Sequence, residues 1–490
     1  MKLRELLVDA EVAEVVGDAG AEVTSLAYDS RTVEPGTLFF CVPGQRSDGH
    51  EFGERAVERG ASALVVERLL DLGVTEVRVA DSRAAMAPVA VRFWDDPTAK
   101  LRVAGVTGTN GKTTTAFLIR HLLSSQGIQA GLLGTVKQIV GGVEEGVERT
   151  TPEAIDLQRT FRRMLDEGDA ACAMEVSSHA LALERTAGVR FGVAVFTNLT
   201  QDHLDFHADM EEYFLAKRGL FASSLIETAV VNVDDPYGAR LAAELAEAGE
   251  PPVLTVSASG ADDADFRAAE VSFDAAGSQF LCRAPDGEAQ VRMPLPGHFN
   301  VENALGAIGA CHALGVPAPA AAAALASAGL VPGRFEPVDE GQPFAVLVDY
   351  AHTPDSLKTV LEAARKLTEG RLIAVFGCGG DRDRDKRPLM GGIAARLADV
   401  CVVTSDNPRS EEPQAIIAEI LAGMPGTENG EIEVEPDRRA AIALGFSVAA
   451  PGDTVVIAGK GHEQGQELAG GRKIPFDDRE VARDELRKPA

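Results

Sequence analysis

Residues 101–124 read LRVAGVTGTNGKTTTAFLIRHLLS, and the fold of the chain follows from this stretch. Its apolar residues 101–106 predict a strand, and residues 116–124 predict a helix behind a glycine-rich turn. Backbone N–H groups of such a turn, a lysine and a helix N-terminus converge on one point, where they can hold the phosphates of a nucleotide. The predicted phosphate-binding residues are Gly108, Thr109, Asn110, Gly111, Lys112, Thr113 and Thr114, with the Thr113 hydroxyl placed to meet Mg²⁺.

The spacing of this loop differs from that of the common phosphate-binding loop. The common pattern G-x-x-x-x-G-K-[ST] requires a glycine five residues before Gly111, and this chain has Val106 there. Its other glycines stand at positions 105 and 108. The loop therefore predicts a nucleotide-binding site. Its unusual spacing disfavours an ordinary nucleoside triphosphatase.

The composition is that of a globular protein with several domains. With 490 residues, 45% of them hydrophobic and 25% charged, the chain is too long for one hydrophobic core and is not of the disordered type. The formal net charge of −28 argues against nucleic acid or an anionic membrane as a partner. An anionic substrate must therefore be held locally, by arginines, lysines, backbone amides or metal ions.

The cysteines and the amino terminus indicate a soluble cytoplasmic protein. The cysteines are scattered without a C-x-x-C pair, which suits buried thiols better than disulfides or zinc ligands; they are Cys41, Cys172, Cys282, Cys311, Cys378 and Cys401. No apolar export segment is predicted near the amino terminus. The alanine-rich run 317–330 is too short and too weakly hydrophobic to span a bilayer, so no membrane insertion is expected.

Three segments of the chain differ in pattern. Residues 1–97 mix short strands and helices and predict a small α/β domain. Residues 98–333 alternate apolar strands with amphipathic helices and predict a parallel sheet covered on both faces, with strands at 101–106, 171–176, 193–197 and 229–233. Residues 334–490 repeat the alternation, with strands at 345–349, 372–376, 400–404 and 454–458. A polar loop follows each of these four strands, which predicts a second α/β domain whose loops close over a site.

Several polar residues follow strands of the central segment. Glu175 ends one predicted strand, where a carboxylate on the sheet of the phosphate loop is placed to bind Mg²⁺. The stretch 197–207, TNLTQDHLDFH, follows another strand and holds two of the nine histidines, which favours a metal or phosphate site over a core histidine. Lys217 lies among large apolar residues, a pattern that by itself favours a helix lysine with its ammonium in water.

Two loops of the third segment are also candidates. The charge run 381–388, DRDRDKRP, follows a predicted strand, so part of it can face a ligand rather than solvent. Residues 406–409, Asp-Asn-Pro-Arg, are compatible with a plain turn. Alternatively, the Arg409 guanidinium binds a carboxylate through two parallel hydrogen bonds.

Taken together, these motifs resemble those of the Mur ligase family. The phosphate loop, MEVSSH at 174–179, the stretch 197–207, Lys217, DNPR at 406–409 and GKGHE at 459–463 follow one another in family order along the whole chain. The resemblance implies three domains: a small α/β N-terminal domain for the UDP end of the substrate, a central P-loop parallel-sheet ATPase domain, and a C-terminal Rossmann-like α/β domain for the incoming amino acid. It implies ATP-driven amide formation, through an acyl phosphate, at the D-glutamate γ-carboxylate of UDP-N-acetylmuramoyl-L-alanyl-D-glutamate in peptidoglycan synthesis, and a monomer is expected.

The resemblance also assigns roles to individual residues. The nucleotide contacts are the phosphate loop and, for adenine, phosphate and ribose, Asn303, Arg334 and Asp349. The implied metal set is Thr113, Glu175, His203 and Lys217, the last as a carbamate formed with CO₂. The implied catalytic residues are Lys112, Glu175, His203 and Lys217. The substrate contacts are Ser30, Thr150, Thr151, Ser177 and Arg185, and Leu183 stands where the family often has glutamine.

The motif at 406–409 resembles that of the family members that add meso-2,6-diaminopimelate. This amino acid has a second carboxylate at its far end, which Arg409 can bind, whereas lysine presents an ammonium that Arg409 would repel. The other implied contacts with the amino acid are Arg387, Asp406, Asn407, Pro408, Gly459 and Glu463, with Glu463 suited to the distal ammonium.

Three alternatives remain at this point. One is a lysine-adding ligase of the same step, and another is a ligase similar to folylpolyglutamate synthetase. The 97 residues before the phosphate loop disfavour the second, because those enzymes begin close to the loop. The third is a nucleotide-regulated binding protein that has lost catalysis, and the presence of Lys112, Glu175, His203 and Lys217 disfavours it.

Overall fold

The computed structural model describes residues 1–44, 47–424 and 431–488. Its α-helices are α1 (Leu3–Leu6), α2 (Gly53–Glu58), α3 (Ser82–Phe93), α4 (Lys112–Ser125), α5 (Ala154–Asp166), α6 (Ser178–Ala182), α7 (Met210–Phe221), α8 (Pro236–Ala248), α9 (His298–Ala313), α10 (Ala318–Ala324), α11 (Pro354–Leu367), α12 (Lys386–Leu397), α13 (Pro413–Ala422), α14 (Arg438–Val448) and α15 (Asp478–Leu486). Short 3₁₀ turns lie at Ser30–Thr32, Gly49–Phe52, Pro97–Ala99, Leu325–Ser327 and Ala469–Gly471.

The strands are mostly short. They are β1 (Val12–Val16), β2 (Ser25–Ala27), β3 (Thr37–Phe40), β4 (Ala63–Val66), β5 (Thr75–Val79), β6 (Arg102–Thr107), β7 (Ala130–Leu133), β8 (Gln138–Val140), β9 (Val143–Glu145), β10 (Ala171–Glu175), β11 (Phe191–Phe196), β12 (Ala229–Asn232), β13 (Val253–Ser257), β14 (Phe266–Asp274), β15 (Gly277–Ala284), β16 (Gly287–Met293), β17 (Glu336–Pro337), β18 (Ala345–Asp349), β19 (Leu372–Phe376), β20 (Val400–Val403), β21 (Glu431–Val434), β22 (Thr454–Ala458), β23 (Gly465–Glu467) and β24 (Lys473–Pro475).

The chain divides into two compact units. The first consists of Met1–Gly105, Gly127–Ala194 and Ala216–Thr228, and the second consists of Val106–Gln126, Val195–Leu215 and Ala229–Ala490. Strands β6 and β11 each begin in the first unit and end in the second. The phosphate loop and its helix α4 therefore belong to the second unit, together with the whole carboxyl-terminal segment.

The first unit contains a small sheet with the strand order β1-β5-β4-β3-β2. Strands β2 to β5 pair in parallel, and β1 pairs with β5 in the antiparallel direction. In the same unit β10 pairs in parallel with β7, and β8 and β9 continue from β7 as an antiparallel hairpin. Apolar cores cover both faces of the small sheet, as expected for buried parallel strands.

The second unit contains a six-stranded sheet with the order β17-β18-β22-β19-β20-β21. All its pairs are parallel except β17 with β18. In β19, Leu372, Ala374 and Phe376 pack in one core, and Ile373 and Val375 pack in the other. Since helices cover both faces, every position of this strand is apolar. The loops that follow β18, β22, β19 and β20 emerge side by side at the carboxyl edge.

The predicted strands at 345–349, 372–376 and 454–458 are confirmed with their predicted bounds, and the other predicted strands differ by one or two residues at their ends. Helix α4 begins at Lys112, four residues before the predicted start, because Gly111 adopts a left-handed conformation and ends the turn there. The threonines of the loop therefore lie in the first helical turn.

The uniform β–α alternation predicted for residues 98–333 is wrong over residues 266–293. There β14, β15 and β16 form an antiparallel meander without a helix between them. Gly277 and Gly287, with φ of +141° and +142°, follow the two tight turns. Short turns of this kind join antiparallel neighbours, whereas parallel strands need a long crossover.

The six cysteines are all buried and unpaired, as predicted. Burial raises the pKa of the Cys41, Cys282, Cys378 and Cys401 thiols to about 12, so they are inert small apolar groups. None of the helices in the described part of the chain combines the length and apolar character needed to cross a lipid bilayer.

Candidate functional site

The phosphate loop is shaped by close contacts that leave no room for side chains at its glycines. Gly108 and Gly111 have φ of +148° and +84°. A Cβ atom at Gly108 would overlap the Thr197 hydroxyl, and one at Gly111 would overlap the Asn303 amide oxygen. The Lys112 ammonium donates to the carbonyls of Gly108 and Thr109 at 3.0 and 2.7 Å. The loop is thus a fixed turn with its lysine folded over it.

The stretch after β11 holds this loop in place. The Thr109 N–H donates to the Asn198 carbonyl at 2.9 Å, and the Asn110 N–H donates to the Asn198 side chain at 2.8 Å. The Thr197 hydroxyl donates to the Asn110 carbonyl at 2.6 Å. Residues 197 and 198 of the predicted cluster 197–207 therefore hold the phosphate loop in place through hydrogen bonds.

The far part of that cluster divides into two roles. His207 is buried and stacks on Tyr213 with ring centroids 5.0 Å apart, so it packs as a core side chain. His203, with φ of +56°, lies 3.4 Å from the buried Asp202 carboxylate (Nε2 to Oδ2), and His352 lies 3.8 Å from the same oxygen. Burial acts to raise the pKa of Asp202, but the two histidines and Lys386 outweigh it and hold that pKa below its ordinary value.

Arg334 links the carboxyl-terminal segment to the phosphate loop. Its Nη2 donates to Thr113 Oγ1 at 2.9 Å, and its guanidinium lies over the Tyr350 ring, 4.5 Å from the centroid. Asp349 accepts from the N–H groups of Phe335 and Ala351 at 2.6 and 2.7 Å, and burial raises its pKa to about 6. Arg334 and Asp349, two of the three predicted ATP contacts outside the loop, therefore both lie where residues 334–335 meet residues 349–351.

Asn303 lies on α9, behind the phosphate loop. Its amide oxygen accepts from the Thr115 hydroxyl at 3.3 Å, and a small cavity beside it is lined by Phe196, Asn232 and Glu302. Burial, with Asp234, Asp235 and Asp355 nearby, raises the pKa of Glu302 to about 7. Sequence reasoning missed Glu302, although it stands directly beside the predicted Asn303.

In the first unit, Glu175 is buried at the end of β10. Its carboxylate accepts from the Thr135 N–H at 2.7 Å and from the Thr135 hydroxyl at 3.0 Å. The Thr151 hydroxyl donates to the Glu175 carbonyl at 2.9 Å, and the Thr150 hydroxyl lies 3.1 Å from that of Thr135. Ser177 N–H donates to the Thr151 hydroxyl at 3.1 Å. The predicted substrate residues Thr150, Thr151 and Ser177 are therefore brought together with Glu175.

Arg185 joins this group through Glu153, a residue that sequence reasoning missed. Arg185 donates to the Thr151 carbonyl at 3.3 Å and lies 3.0 Å from the Glu153 carboxylate. The same buried carboxylate also pairs with Arg83 at 2.9 Å and with Arg149 at 3.7 Å. Three guanidinium groups around one carboxylate leave a net positive charge, which suits an anionic substrate.

Ser30 and Lys217 are placed separately in the first unit. Ser30 is buried in a 3₁₀ turn after β2, and its predicted contact with the substrate stays a prediction. Lys217 on α7 is only 1% exposed, so the interpretation of a lysine with its head in water is wrong. No cluster of three or more His, Cys, Asp or Glu poised to hold a metal occurs within residues 1–44, 47–424 and 431–488.

In the carboxyl-terminal segment, the loops after β20 and β22 meet around a buried lysine. Lys460 is fully buried, and its ammonium donates to Asn407 Oδ1 at 2.8 Å and to Glu463 Oε2 at 2.9 Å, with Asp406 at 3.5 Å. Asn407 also donates to Glu463 at 2.9 Å. Gly459 has φ of +125°, and a Cβ there would press on Asp406. Asp406, Asn407, Gly459 and Glu463 thus lie together around Lys460, which was not predicted as a site residue, and their contact with the amino acid stays a prediction.

The two arginines predicted to contact the amino acid differ in their surroundings. The Arg387 side chain is fully buried and pairs with Glu411 and Glu419, each at 2.8 Å. This pairing holds the pKa of Glu411 at about 2. Arg409, after Pro408, is partly exposed and pairs with Glu467 at 2.8 Å. Arg387 is therefore firmly engaged by protein carboxylates, and its predicted contact with a ligand stays a prediction.

Comparison with protein families places this arrangement in a known class. Three family models match the chain: "Mur ligase family, catalytic domain" over residues 22–100, "Mur ligase middle domain" over 106–311, and "Mur ligase, glutamate ligase domain" over 333–461. The chain belongs to the Mur ligase family, and the resemblance stated from its motifs is confirmed. It is a three-domain α/β ligase that uses ATP.

Within this family the chain is similar to ligases of one kind. It is 48% identical to the UDP-N-acetylmuramoyl-L-alanyl-D-glutamate–2,6-diaminopimelate ligase of Streptomyces coelicolor, over 98% of this chain and 96% of that protein. It is 44% identical to the ligase of the same name from Clostridioides difficile, over the full length of both. A solved structure with that name is 33% identical, with a TM-score of 0.70 over 99% of this chain and 98% of the other.

A folylpolyglutamate synthase of Mycobacterium tuberculosis shares the fold at 19% identity. Its TM-score is 0.62, over 76% of this chain and 92% of that protein.

Proposed function

We propose that this protein joins meso-2,6-diaminopimelate to the D-glutamate γ-carboxylate of UDP-N-acetylmuramoyl-L-alanyl-D-glutamate, with conversion of ATP to ADP and phosphate. The observation that carries the proposal is the presence of opposite charges on two loops at the carboxyl edge of the six-stranded sheet. Arg409, which pairs with Glu467 at 2.8 Å, has a guanidinium on the loop after β20, and Glu463, which pairs with Lys460 at 2.9 Å, has a carboxylate on the loop after β22. The distal end of diaminopimelate carries one carboxylate and one ammonium, so the two sets of charges complement each other.

The full-length relatives support the same substrate. Relatives between 44% and 49% identical carry the name of this reaction. The folylpolyglutamate alternative rests on a shared fold alone, and fold alone does not define a substrate. The charge of lysine's side chain is of the wrong sign for Arg409, which disfavours the lysine-adding alternative.

The reaction proceeds in two steps. The γ-carboxylate attacks the γ-phosphorus of ATP, ADP leaves, and an acyl phosphate forms. The deprotonated amine of diaminopimelate then attacks the acyl carbon, phosphate leaves, and the amide remains. Lys112, folded over the phosphate loop, stabilises negative charge on the transferred group, and Arg334 beside Thr113 adds a second cation.

We propose that Mg²⁺ is bound by the residues that the family resemblance implies, which are Thr113, Glu175, His203 and Lys217 as a carbamate. The Thr113 hydroxyl and the Glu175 carboxylate are ligand types that Mg²⁺ prefers. When bound, the ion supplies positive charge to the phosphates. Burial of Lys217 supports the carbamate, because burial disfavours an ammonium and leaves a nucleophilic amine for CO₂. We further propose that the protein works as a monomer in the cytoplasm, where its buried thiols stay reduced.

One assay tests this function directly. Release of ADP is measured with UDP-N-acetylmuramoyl-L-alanyl-D-glutamate and either diaminopimelate or lysine as the acceptor. We expect turnover with diaminopimelate and little with lysine, with a product of the mass of the tripeptide. Preference for lysine would contradict the role given to Arg409, and ADP release that depends on neither acceptor would contradict the ligase activity.

A further inference from the structure

A small hairpin in the carboxyl-terminal segment makes hydrogen bonds with the loop 406–409. Its strands are β23 and β24, and two consecutive residues of β23 bind the loop. Gln466 Nε2 donates to the Asp406 carbonyl at 2.7 Å, and the Glu467 N–H donates to Asn407 Oδ1 at 3.0 Å. The Arg409 N–H donates to the Glu467 carbonyl at 3.1 Å, and Arg409 Nε donates to the Glu467 carboxylate at 2.8 Å. Glu467 thus makes three of these four contacts.

The contacts fix Arg409 in an orientation that it would not hold alone. Arg409 has φ of +51°, a left-handed conformation that costs a non-glycine residue free energy. Its Nε faces Glu467, and its Nη1 donates to the Gly380 carbonyl at 2.7 Å. Within the described part of the chain, no hydrogen bond engages Nη2. When Nε and one N–H of Nη1 are engaged, the other N–H of Nη1 and the N–H groups of Nη2 stay together on one side of the guanidinium. This is the geometry that binds a carboxylate through two hydrogen bonds.

We propose that Glu467 is a positioning residue that holds Arg409 for the distal carboxylate of the incoming amino acid. The inference rests on the proposed function and extends it, because neither the motif at 406–409 nor the one at 459–463 includes Glu467. The ion pair keeps the Arg409 guanidinium from turning away from the distal carboxylate, either into solvent or towards the amine of the ligand. It also sets the loop backbone, since the same residue holds Asn407 and the Arg409 amide.

The test is a kinetic comparison of Glu467→Gln with the wild-type enzyme. Glutamine keeps the backbone contacts and the size of the side chain but removes its charge. We expect KM for diaminopimelate to rise about tenfold, with kcat and the KM values for ATP and the nucleotide substrate changed by less than about twofold. Glu467→Asp, which keeps the charge one methylene further away, is expected to fall between the two.

The matched control is Glu480→Gln, which removes the exposed partner of Arg483 on α15, where Glu480 lies 2.7 Å from that guanidinium. We expect it to match the wild type in every constant. A variant that folds poorly lowers the active fraction and hence apparent kcat, but it does not raise KM for one substrate alone. The KM readout therefore separates positioning from loss of fold.

A double-mutant cycle with Arg409→Ala decides whether Glu467 acts through Arg409. If it does, Glu467→Gln adds little to the defect of Arg409→Ala. Additive defects, or an unchanged KM for diaminopimelate in Glu467→Gln, would overturn the proposal while leaving the ligase activity of the wild type intact. Failure of the wild type to use diaminopimelate would instead overturn the proposed function, and this inference with it.

Discussion

Arg334 Nη2 donates a hydrogen bond to Thr113 Oγ1 at 2.9 Å, across 221 residues of sequence. This bond joins the turn that opens the carboxyl-terminal segment to the first turn of α4. The stacking of the same guanidinium on Tyr350 fixes its direction. The phosphate loop and residues 334–490 are therefore connected at Arg334, for which the family resemblance implies a contact with phosphate.

Replacement of Arg334 by lysine tests this connection. Lysine keeps the charge but loses the planar fork and its stacking, so we expect KM for ATP to rise and kcat to fall, each about tenfold. Initial rates of ADP release against ATP concentration measure both. The control is Arg365→Lys, an arginine of α11 paired with Asp399. Unchanged constants in Arg334→Lys would show that the contact does not serve the nucleotide.

Substitution of Gly111 by alanine tests the fit of the phosphate loop. The added Cβ would overlap Asn303 Oδ1, so we expect ATP-dependent turnover to fall by at least about tenfold. Gly127→Ala is the matched control, because Gly127 has a similar φ of +74° but nothing within 4 Å of the added atom. That variant should lose about 1 kcal/mol of stability and keep its KM for ATP. Equal defects in both would point to backbone strain rather than overlap.

The carbamate of Lys217 is tested by Lys217→Ala. We expect turnover to fall about a hundredfold or more, with partial rescue by small carboxylic acids that replace the missing anion. Lys100→Ala, at an exposed lysine, is the control and should match the wild type. Full activity of Lys217→Ala in buffer depleted of CO₂ would show that the amine carries no carbamate needed for turnover.

Lys460 is expected to stabilise the amino-acid loops by neutralising their carboxylates. Lys460→Met leaves Asp406 and Glu463 without their buried cation, and we expect a loss of about 3 kcal/mol in the free energy of unfolding. Denaturation in urea measures it, with Lys358→Met on the exposed face of α11 as the control. The double variant Lys460→Met with Glu463→Gln should recover part of the loss, and no recovery would contradict the charge argument.

Glu302 is expected to make the stability of the protein depend on pH. Its pKa is raised from 4.5 to about 7 in the folded protein, so between these values the folded state binds more protons than the unfolded state. The free energy of unfolding contributed by this group therefore falls as pH rises through that window. We expect Glu302→Gln to gain stability relative to the wild type from pH 5 to pH 8, whereas Glu288→Gln, at an exposed strand residue, should not. A constant difference across pH would contradict the shift.

Several elements were predictable because their signals are local. The apolar runs at 345–349 and 372–376 gave strand positions directly, since both faces of a buried parallel strand are apolar. The meander at 266–293 also carries a local signal that was overlooked, Asp286-Gly287 between alternating residues, which is typical of a hairpin turn. Its strands were missed because the alternation on either side of it favours crossover connections.

The candidate site was predictable where a motif names its residues. The phosphate loop was predicted from its own pattern, whereas the roles of Thr150, Thr151 and Ser177 and of the loop 406–409 were predicted from the family resemblance. Glu153 and Lys460 were not, because a carboxylate or an ammonium that neutralises other site residues has no spacing signature of its own. Lys217 shows the opposite case: the sequence around it fits both an exposed and a buried lysine, and only packing decides between them.

By itself, the sequence determined the α/β class and the family, and it predicted the phosphate loop at 108–114, because hydrophobic periodicity and short motifs depend on neighbouring residues. The tertiary structure decided which distant side chains meet. Arg334 reaches Thr113, Arg409 pairs with Glu467, and Lys460 binds Asn407, over separations of 221, 58 and 53 residues. Such contacts depend on strand order and on the direction of each loop, which local periodicity does not encode.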